Sequence, residues 1–463
     1  MNKYGSNVSV LLRPDASIAA VQTLLGFLVT YTITIDPNAR VYEQLHPPGH
    51  TRRQSNANRL ASNIDRMGVQ EVTIRFRMVI KVDAGIGKAL ALDDELVVAT
   101  EKPAAVQCIR WTPDNTGSQT STELLSRMTW IQKKATVIGM VFDRAMSLAI
   151  WTTNDGRAYA VQRVSRLPKE PDAPRRLFRG YGFHTPDHED NWARQGAINA
   201  RFSLLAIACA NSEIWVYTAR DYVGSIPLSH KLQSPASQSA TGHVTSLSYS
   251  PDGYCLFAGY ERGWALWSVY GKPGASSFAA DQTVSENNEE GWLSGVYEGS
   301  WLNGGLNILL TSQNDDRLWL LEMAKSAVTG CFSAANISRT MLLTNTSIMV
   351  YRGYDLPVLE TISADASLWH HVPIPAMYLA NQRPIRSAVI SPDGRYVAIA
   401  GRRGLAHHSV TSGRWKTYTD IEAENAFVVR GGMCWYQHIL IAAVETDDSH
   451  EVCHLSWRAL DDG

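Results

Sequence analysis

Two stretches of this chain, VTSLSYSPDGYCLFAGYERGWALWSV (residues 244–269) and IRSAVISPDGRYVAIAGRRGLAHHSV (385–410), are copies of one pattern. Each sets Ser-Pro-Asp-Gly between two apolar runs, then a second turn bounded by Gly, then a third apolar run. That is strand, turn, strand, turn, strand. A unit of this kind cannot bury both of its faces alone, so its recurrence points to repeated small sheets that cover one another.

The rest of the chain agrees. Apolar runs of a strand's length, rich in Val, Ile, Leu, Tyr and Trp, recur between clusters of Gly, Asp and Asn. NVSVLLRPD, SLAIWTTNDGRAYAVQRV, FSLLAIACANSEIWVYTA and LNILLTSQNDDRLWLLE are examples. Asn154-Asp155-Gly156 and Asn314-Asp315-Asp316 suit tight hairpins, because these residue types tolerate positive φ. Helical periodicity is scarce, with 120–127 the best helical candidate and 322–328 a weaker one. Runs repeating every 40 to 50 residues or so read as the four-stranded blades of a β-propeller. About nine such units fit into the 463 residues. The expected fold is therefore all-β: WD40-like β-propeller, two in tandem with degenerate blades and at least one ring incomplete. The expected division is 1–232 for the first propeller, 233–241 for a linker and 242–463 for the second. Surface loops are expected at 46–68, 165–176, 185–195, 233–241 and 272–291. Both ends read as cut from a longer chain, with N-terminal blades missing from the first ring and C-terminal blades missing from the second.

Residues 16–35 carry no charge and approach membrane-spanning length. Their Thr and β-branched content and the Leu24-Leu25-Gly26 break favour a β-hairpin, so no transmembrane segment is expected. A net charge of −1 gives no electrostatic reason to expect nucleic acid. The six Cys (108, 209, 255, 331, 434, 453) stand singly and several lie in apolar runs, which suits reduced thiols in a cytosolic protein. Asn7, Asn336 and Asn345 match the glycosylation triplet at about the frequency of chance.

Chemistry-bearing motifs are few. There is no G-x-S-x-G, H-E-x-x-H or phosphate-binding G-x-x-x-x-G-K-[ST] string. Gly85-Ile86-Gly87 lacks the third glycine and the helix of a dinucleotide site. The acidic pairs Asp93-Asp94, Asp315-Asp316 and Asp447-Asp448 sit in turn-like settings rather than converging across a cleft. No catalytic residue, cofactor site or metal site is assigned. His407-His408 alternates across a strand, so one ring is expected inside and the other outside, with no acidic or Cys partner at a useful spacing. Arg402-Arg403 and Glu261-Arg262 occupy equivalent second turns, where side chains reach solvent. They are the candidate partner contacts, against the plainer reading of a solvated hairpin.

Gly242-His243 before the first copy and Trp267-Ser268 at its close resemble the opening and closing of a WD40 blade. In well-formed blades a His, a strand hydroxyl, a turn Asp and the Trp share hydrogen bonds. Here Ser268 replaces the closing Asp, Arg262 and Arg403 replace the turn Asp, and His407-His408 stands where the first copy has Leu266-Trp267. The network is degraded, and packing must hold the sheet. Gly242, His243, Asp252, Gly253, Trp267, Asp393 and Gly394 are the expected blade-structural residues.

The strings RFRMVIKVDAG (75–85), DDELVVATEKPAAVQCIRWTPD (93–114), SYSPDGYCLFAGYERGWALWSVYGKPGASSF (248–278), VISPDGRYVAIAGRRGLAHHSV (389–410) with SGRWK (412–416), and GGMCWYQHILIAAV (431–444) resemble the Ric-one family in its fungal form. That resemblance covers most of the chain. It implies a propeller half followed by an α-solenoid half, the latter not in this chain. It also implies action with an Rgp-like subunit as a guanine-nucleotide exchange factor for a Rab/Ypt-type GTPase at the Golgi, in endosome-to-Golgi and intra-Golgi retrograde transport. The chain would be peripheral on the Golgi membrane through the complex. No motif here maps onto a nucleotide-exchange site, so the expected part is a non-catalytic scaffold. The alternatives are another WD40 scaffold, such as a vesicle-coat subunit, and a propeller glycoside hydrolase. The closing strand (EVCHLSWRALDDG) departs from the family pattern, and a truncated or mispredicted gene product is expected.

Overall fold

The computed structural model describes residues 3–35, 72–112, 119–164, 176–220, 225–278, 293, 295–312, 316–331, 333–352, 368–446 and 450–456. The expected loop at 46–68, most of the one at 165–176, and the pairs Asn314-Asp315 and Asp447-Asp448 lie outside them.

Among the described residues nine antiparallel sheets follow one another, and within each the strands are hydrogen-bonded in sequence order. Seven have four strands; the sixth and ninth have three. The third sheet is typical, with strands Val137–Asp143, Leu148–Thr153, Ala158–Arg163 and Phe178–His184. Its second strand, LAIWTT, is buried at every position, as are ELVVAT (Glu95–Thr100) and LLAIAC (Leu204–Cys209) in the sheets on either side. A strand apolar on both faces needs a cover on both. The apolar clusters supply it, each joining consecutive sheets: Leu28 with Leu96, Val97 with Trp151, Ile150 with Leu205, and Val216 with Leu256. The same holds for the seventh sheet with the eighth and the eighth with the ninth.

The chain divides into two compact units. The first comprises 1–249, 255–298 and 312–316; the second comprises 250–254, 299–311 and 317–463. Within the first, the opening strands of successive sheets (Asn7–Leu12, Ile86–Ala91, Val137–Asp143, Ala193–Asn199, Val244–Tyr249) lie side by side. Within the second, Ser387–Ile390 likewise lies beside Phe427–Tyr436. Sheets stacked face to face with their first strands adjacent are propeller blades. The expected all-β blade architecture is therefore present. The expected linker at 233–241 falls inside the first unit, because one apolar cluster runs from Ala197 to Val269 across it.

Residues 16–35 form the expected hairpin, Ile18–Thr23 with Phe27–Ile35, turning at Gly26 with φ +78°. No helix among the described residues is long and apolar enough to cross a membrane. Both helical expectations need correction. Residues Thr120–Leu124 are the outer strand of the second sheet, followed by one 3-10 turn at Leu125–Arg127. Its hydroxyl and β-branched residues suit an outer strand, and its Glu123 carboxylate accepts the backbone N–H of Leu177 at 2.7 Å. At 322–328 the chain ends one strand at Glu322 and opens the next sheet at Lys325–Ser326, with only a 3-10 turn at Ala327–Thr329. The expected loop at 185–195 holds a 3-10 turn at Glu189–Asn191 and enters a strand at Ala193. That at 272–291 begins with the strand Pro273–Ser276.

Candidate interaction surface

The two Ser-Pro-Asp-Gly turns are built alike. Ser250 Oγ donates to Asp252 Oδ1 at 2.5 Å, and Ser391 Oγ to Asp393 Oδ1 at 2.6 Å. The same Asp oxygen accepts a backbone N–H two residues on, from Tyr254 at 3.2 Å and from Arg395 at 3.1 Å. Gly253 and Gly394 then close the turn at φ +77° and +74°, where a side chain would be strained. Hydrogen bonds hold both carboxyls below the usual carboxylate range against the opposing effect of burial. These Asp residues build turns rather than chemistry. Within the second unit Asp252 also binds Lys325 Nζ at 2.6 Å, a pairing that nothing local in the sequence announces.

Gly242 and His243 act on the neighbouring sheet. The Gly242 carbonyl accepts Ser212 Oγ at 2.6 Å, and His243 Nδ1 lies 2.9 Å from the Ala210 carbonyl. Trp267 is buried in the cluster shared by the fourth and fifth sheets. All the blade-structural residues thus sit at turns, sheet junctions or in the core.

The candidate contact residues separate into two kinds. Arg403 is half-buried, and its guanidinium donates to the Asn425 carbonyl at 2.6 Å. Its backbone N–H donates to Gln382 Oε1 at 2.9 Å. Gln382, fully buried, also binds Glu424 Oε2 at 3.1 Å and Asn425 Oδ1 at 2.9 Å through its amide nitrogen. Arg262 is exposed, but its guanidinium reaches the Ser239 carbonyl. Glu261 is half-buried over Gly242, and Arg402 is exposed. Glu261 and Arg262 belong to the first unit, Arg402 and Arg403 to the second.

His407 and His408 are both buried, which corrects the in-and-out expectation. Their strand, Leu405–Ser409, lies inside its sheet and is covered on both faces. Burial pushes the His407 imidazole down to about 4, with Lys416 adding to the effect, and lowers His408 as well. Burial raises the thiols of Cys108 and Cys209 to about 12, whereas Cys434 is exposed. Among the described residues no three His, Cys, Asp or Glu side chains are grouped to hold a metal ion.

Sequence reasoning passed over an open cavity of about 470 Å³ in the first unit, lined by Trp130, Lys133, Arg157, Tyr159 and His184 among others. Its single histidine has both ring nitrogens engaged, Nδ1 with Tyr217 Oη and Nε2 with the Asn191 carbonyl, each at 2.7 Å. Burial lowers its pKa, so the ring serves as a neutral wall. It also passed over the buried Glu95 that takes Arg163 in a fork at 2.7 and 3.1 Å. The two partners lie 68 residues apart, and no local pattern joins them.

Comparison with known proteins adds a family. Residues 344–462 match the model described as RIC1 second beta propeller domain. The chain is 24% identical over 507 residues to the mouse (Mus musculus) guanine nucleotide exchange factor subunit RIC1, across 95% of this chain and 34% of that protein. It is 23% identical over 525 residues to guanine nucleotide exchange factor subunit ric1 of Schizosaccharomyces pombe, across 97% of this chain and 48% of that protein. The chain thus spans about a third to a half of the length of these relatives. Among solved structures, the Cps50 (Swd1) β-propeller domain from Myceliophteria thermophila aligns over 68% of this chain and 83% of its own, with 10% identity and a TM-score of 0.43, a loose likeness.

Proposed function

Because this chain belongs to the RIC1 family, we propose that it is a propeller scaffold of a guanine nucleotide exchange factor complex, without covalent chemistry of its own. The observation that carries this reading is the alignment over 95% of the chain with a relative named as such a subunit. The proposed target is a Rab/Ypt-type GTPase at the Golgi, in endosome-to-Golgi and intra-Golgi retrograde transport. The proposed partner is an Rgp-like subunit, through which the chain sits peripherally on the membrane. It contributes two propellers in tandem, divided near residue 299, with 344–462 in the second. Rigid sheets that present turns to other polypeptides suit this role.

Arg402 is the candidate contact best placed for a partner, because its side chain is exposed while Arg262 and Arg403 brace the fold. The test is co-expression with an Rgp-like subunit, followed by release of a fluorescent guanine nucleotide from Rab-type GTPases. The two subunits together are expected to co-purify and to accelerate release, and this chain alone to leave release unchanged. Arg402→Glu is expected to lower recovery of the partner severalfold. Recovery with vesicle-coat subunits in place of an Rgp-like protein would refute the reading.

A further inference from the structure

The cavity of about 470 Å³ in the first unit opens at one end of the third sheet. Gln132 and Lys133 come from the stretch that leads into that sheet, Arg157 and Tyr159 from the head of its third strand, and Gly182 and His184 from its fourth. The third and fourth strands frame the cavity at their Ala158–His184 end. Residues 165–175, outside the described ones, join the same two strands at the far end, beyond Arg163 and Phe178. Inside a strand, glycine often marks a place where something approaches closely. The strand Phe178–His184 has two, at alternate positions and so on one face. A Cβ at Gly180 would meet the Trp130 ring at 2.5 Å, so that glycine makes room for the indole. A Cβ at Gly182 would meet nothing nearer than the Tyr159 ring at 3.4 Å, an ordinary contact. The register shift beside it falls between Gly182 and His184 and requires no positive φ there. The fold has no need of this glycine, and its effect is to keep the cavity open.

The wall of the cavity is rich in donors. Lys133 is exposed and makes no ion pair among the described residues. Half-buried Arg157 meets Asp155 at 3.4 Å, which offsets part of its charge. Tyr159, only 3% exposed, accepts the Gln132 backbone N–H at 3.3 Å, and no described residue accepts its own O–H. Thr129 and Thr185 add exposed hydroxyls, and no Asp or Glu is among the residues that line the cavity. His184 brings no charge, since both of its ring nitrogens are engaged within the protein. Trp130, set against the Tyr159 ring at 5.8 Å between centroids, gives the cavity a flat apolar side.

We propose that this cavity takes an acidic side chain of a partner polypeptide, a glutamate or an aspartate, together with an apolar side chain next to it. The carboxylate accepts from Lys133, Arg157 and the Tyr159 hydroxyl, and charge assistance makes these the strong contacts. The apolar neighbour rests on Trp130, in the space that Gly182 leaves. Beyond the Arg157–Asp155 pair one cation remains, which matches a single negative charge; a doubly charged phosphate would ask for two. The volume is that of a site for a body larger than a carboxylate alone. The cavity lies wholly in the first unit, and its chemistry is independent of the exchange-factor reading.

The test uses the whole chain and a short labelled peptide with one glutamate beside one phenylalanine. Fluorescence anisotropy reads binding, and the rate of Lys133 acetylation, followed by mass spectrometry, reads the site. The peptide is expected to slow acetylation of Lys133 severalfold and to leave that of exposed Lys88 unchanged. Lys133→Glu, at an exposed side chain, is expected to weaken binding about tenfold. Gly182→Val, which puts a strand former into the cavity, is expected to abolish binding, with the unfolding midpoint reporting that the sheet persists. Lys88→Glu should leave binding intact. Equal binding of a peptide with glutamine for glutamate, binding that ignores Lys133→Glu, or no protection of Lys133 at millimolar peptide would overturn the proposal. So would inorganic phosphate that displaces the peptide with equal affinity, because the cavity would then serve a small anion.

Discussion

Gln382 holds the second turn of the eighth sheet from behind. Its carbonyls, main-chain and side-chain, accept the backbone N–H groups of Arg402 at 2.7 Å and Arg403 at 2.9 Å. Its amide nitrogen meets the buried carboxylate of Glu424. Gln382→Leu keeps the volume but strands a buried charge and a backbone donor, and should cost about 2–4 kcal/mol in chemical denaturation. Arg402→Ala, at an exposed side chain, should stay within about 0.5 kcal/mol. Equal costs for the two would mean that the turn does not depend on Gln382. His407 gives a pH dependence with a fixed sign. Its folded pKa lies at about 4, below the ordinary 6.5, so between these values the unfolded chain takes up a proton that the folded one refuses. Stability is full above the upper value and falls as the pH drops through the window, by at most ~3 kcal/mol. Urea midpoints measured from about pH 7 to about pH 4 should decline. His407→Gln should flatten part of that decline, while an unchanged slope would assign it to other groups.

At the scale of the element, one turn recurs in three places. Thr153, Asp155 and Gly156 repeat the hydroxyl-to-Asp bond, at 2.5 Å, and the positive-φ Gly of the two Ser-Pro-Asp-Gly turns. Gly394→Ala places a Cβ at φ +74° and 2.6 Å from the Arg339 guanidinium, which can swing away. The backbone strain remains and should cost about 1–2 kcal/mol. Asp393→Ala should cost about 1 kcal/mol, the worth of its turn hydrogen bonds. A Gly394→Ala protein as stable as the parent, by denaturant unfolding, would remove the turn from the fold's determinants. These turns were legible in the sequence because a turn is a local problem, solved by residues two or three apart. The apolar strands were legible for the same reason. What stays hidden is whatever joins distant segments: Asp252 with Lys325, Glu95 with Arg163, Gln382 with Glu424. The helix expected at 120–127 failed because a neighbouring strand, absent from any local window, takes Thr120–Leu124 into its sheet. Sequence placed one of His407 and His408, and Arg403, at the surface, because strand alternation assumes one wet face and a turn is assumed to be solvated. Burial by the next sheet, and the Gln382 side-chain amide, decide otherwise.

At the scale of the molecule, stability comes from sheets covering sheets, so a face that no described residue covers has consequences for the whole chain. The first sheet turns Ile18, Ala20 and Leu28 toward the second. Its other face is also apolar. Val10 lies opposite Val21, Tyr31 opposite Phe76 and Ile33 opposite Ile74. Val10, Ile74 and Phe76 are 67%, 63% and 62% exposed, and Val8, Leu12 and Val72 are exposed beside them. An exposed apolar face of this kind favours association. The chain studied alone is therefore expected to bind a hydrophobic dye and to gain mass with concentration in light scattering. Val10→Lys with Phe76→Lys should reduce both effects severalfold, because two charges would have to be desolvated on contact. The same pair should leave the unfolding free energy within about 1 kcal/mol, since neither side chain is buried in the fold. A parent chain that stays monomeric and dye-free at every concentration would mean that this face is covered in solution, and the stacking logic would then have to locate its cover.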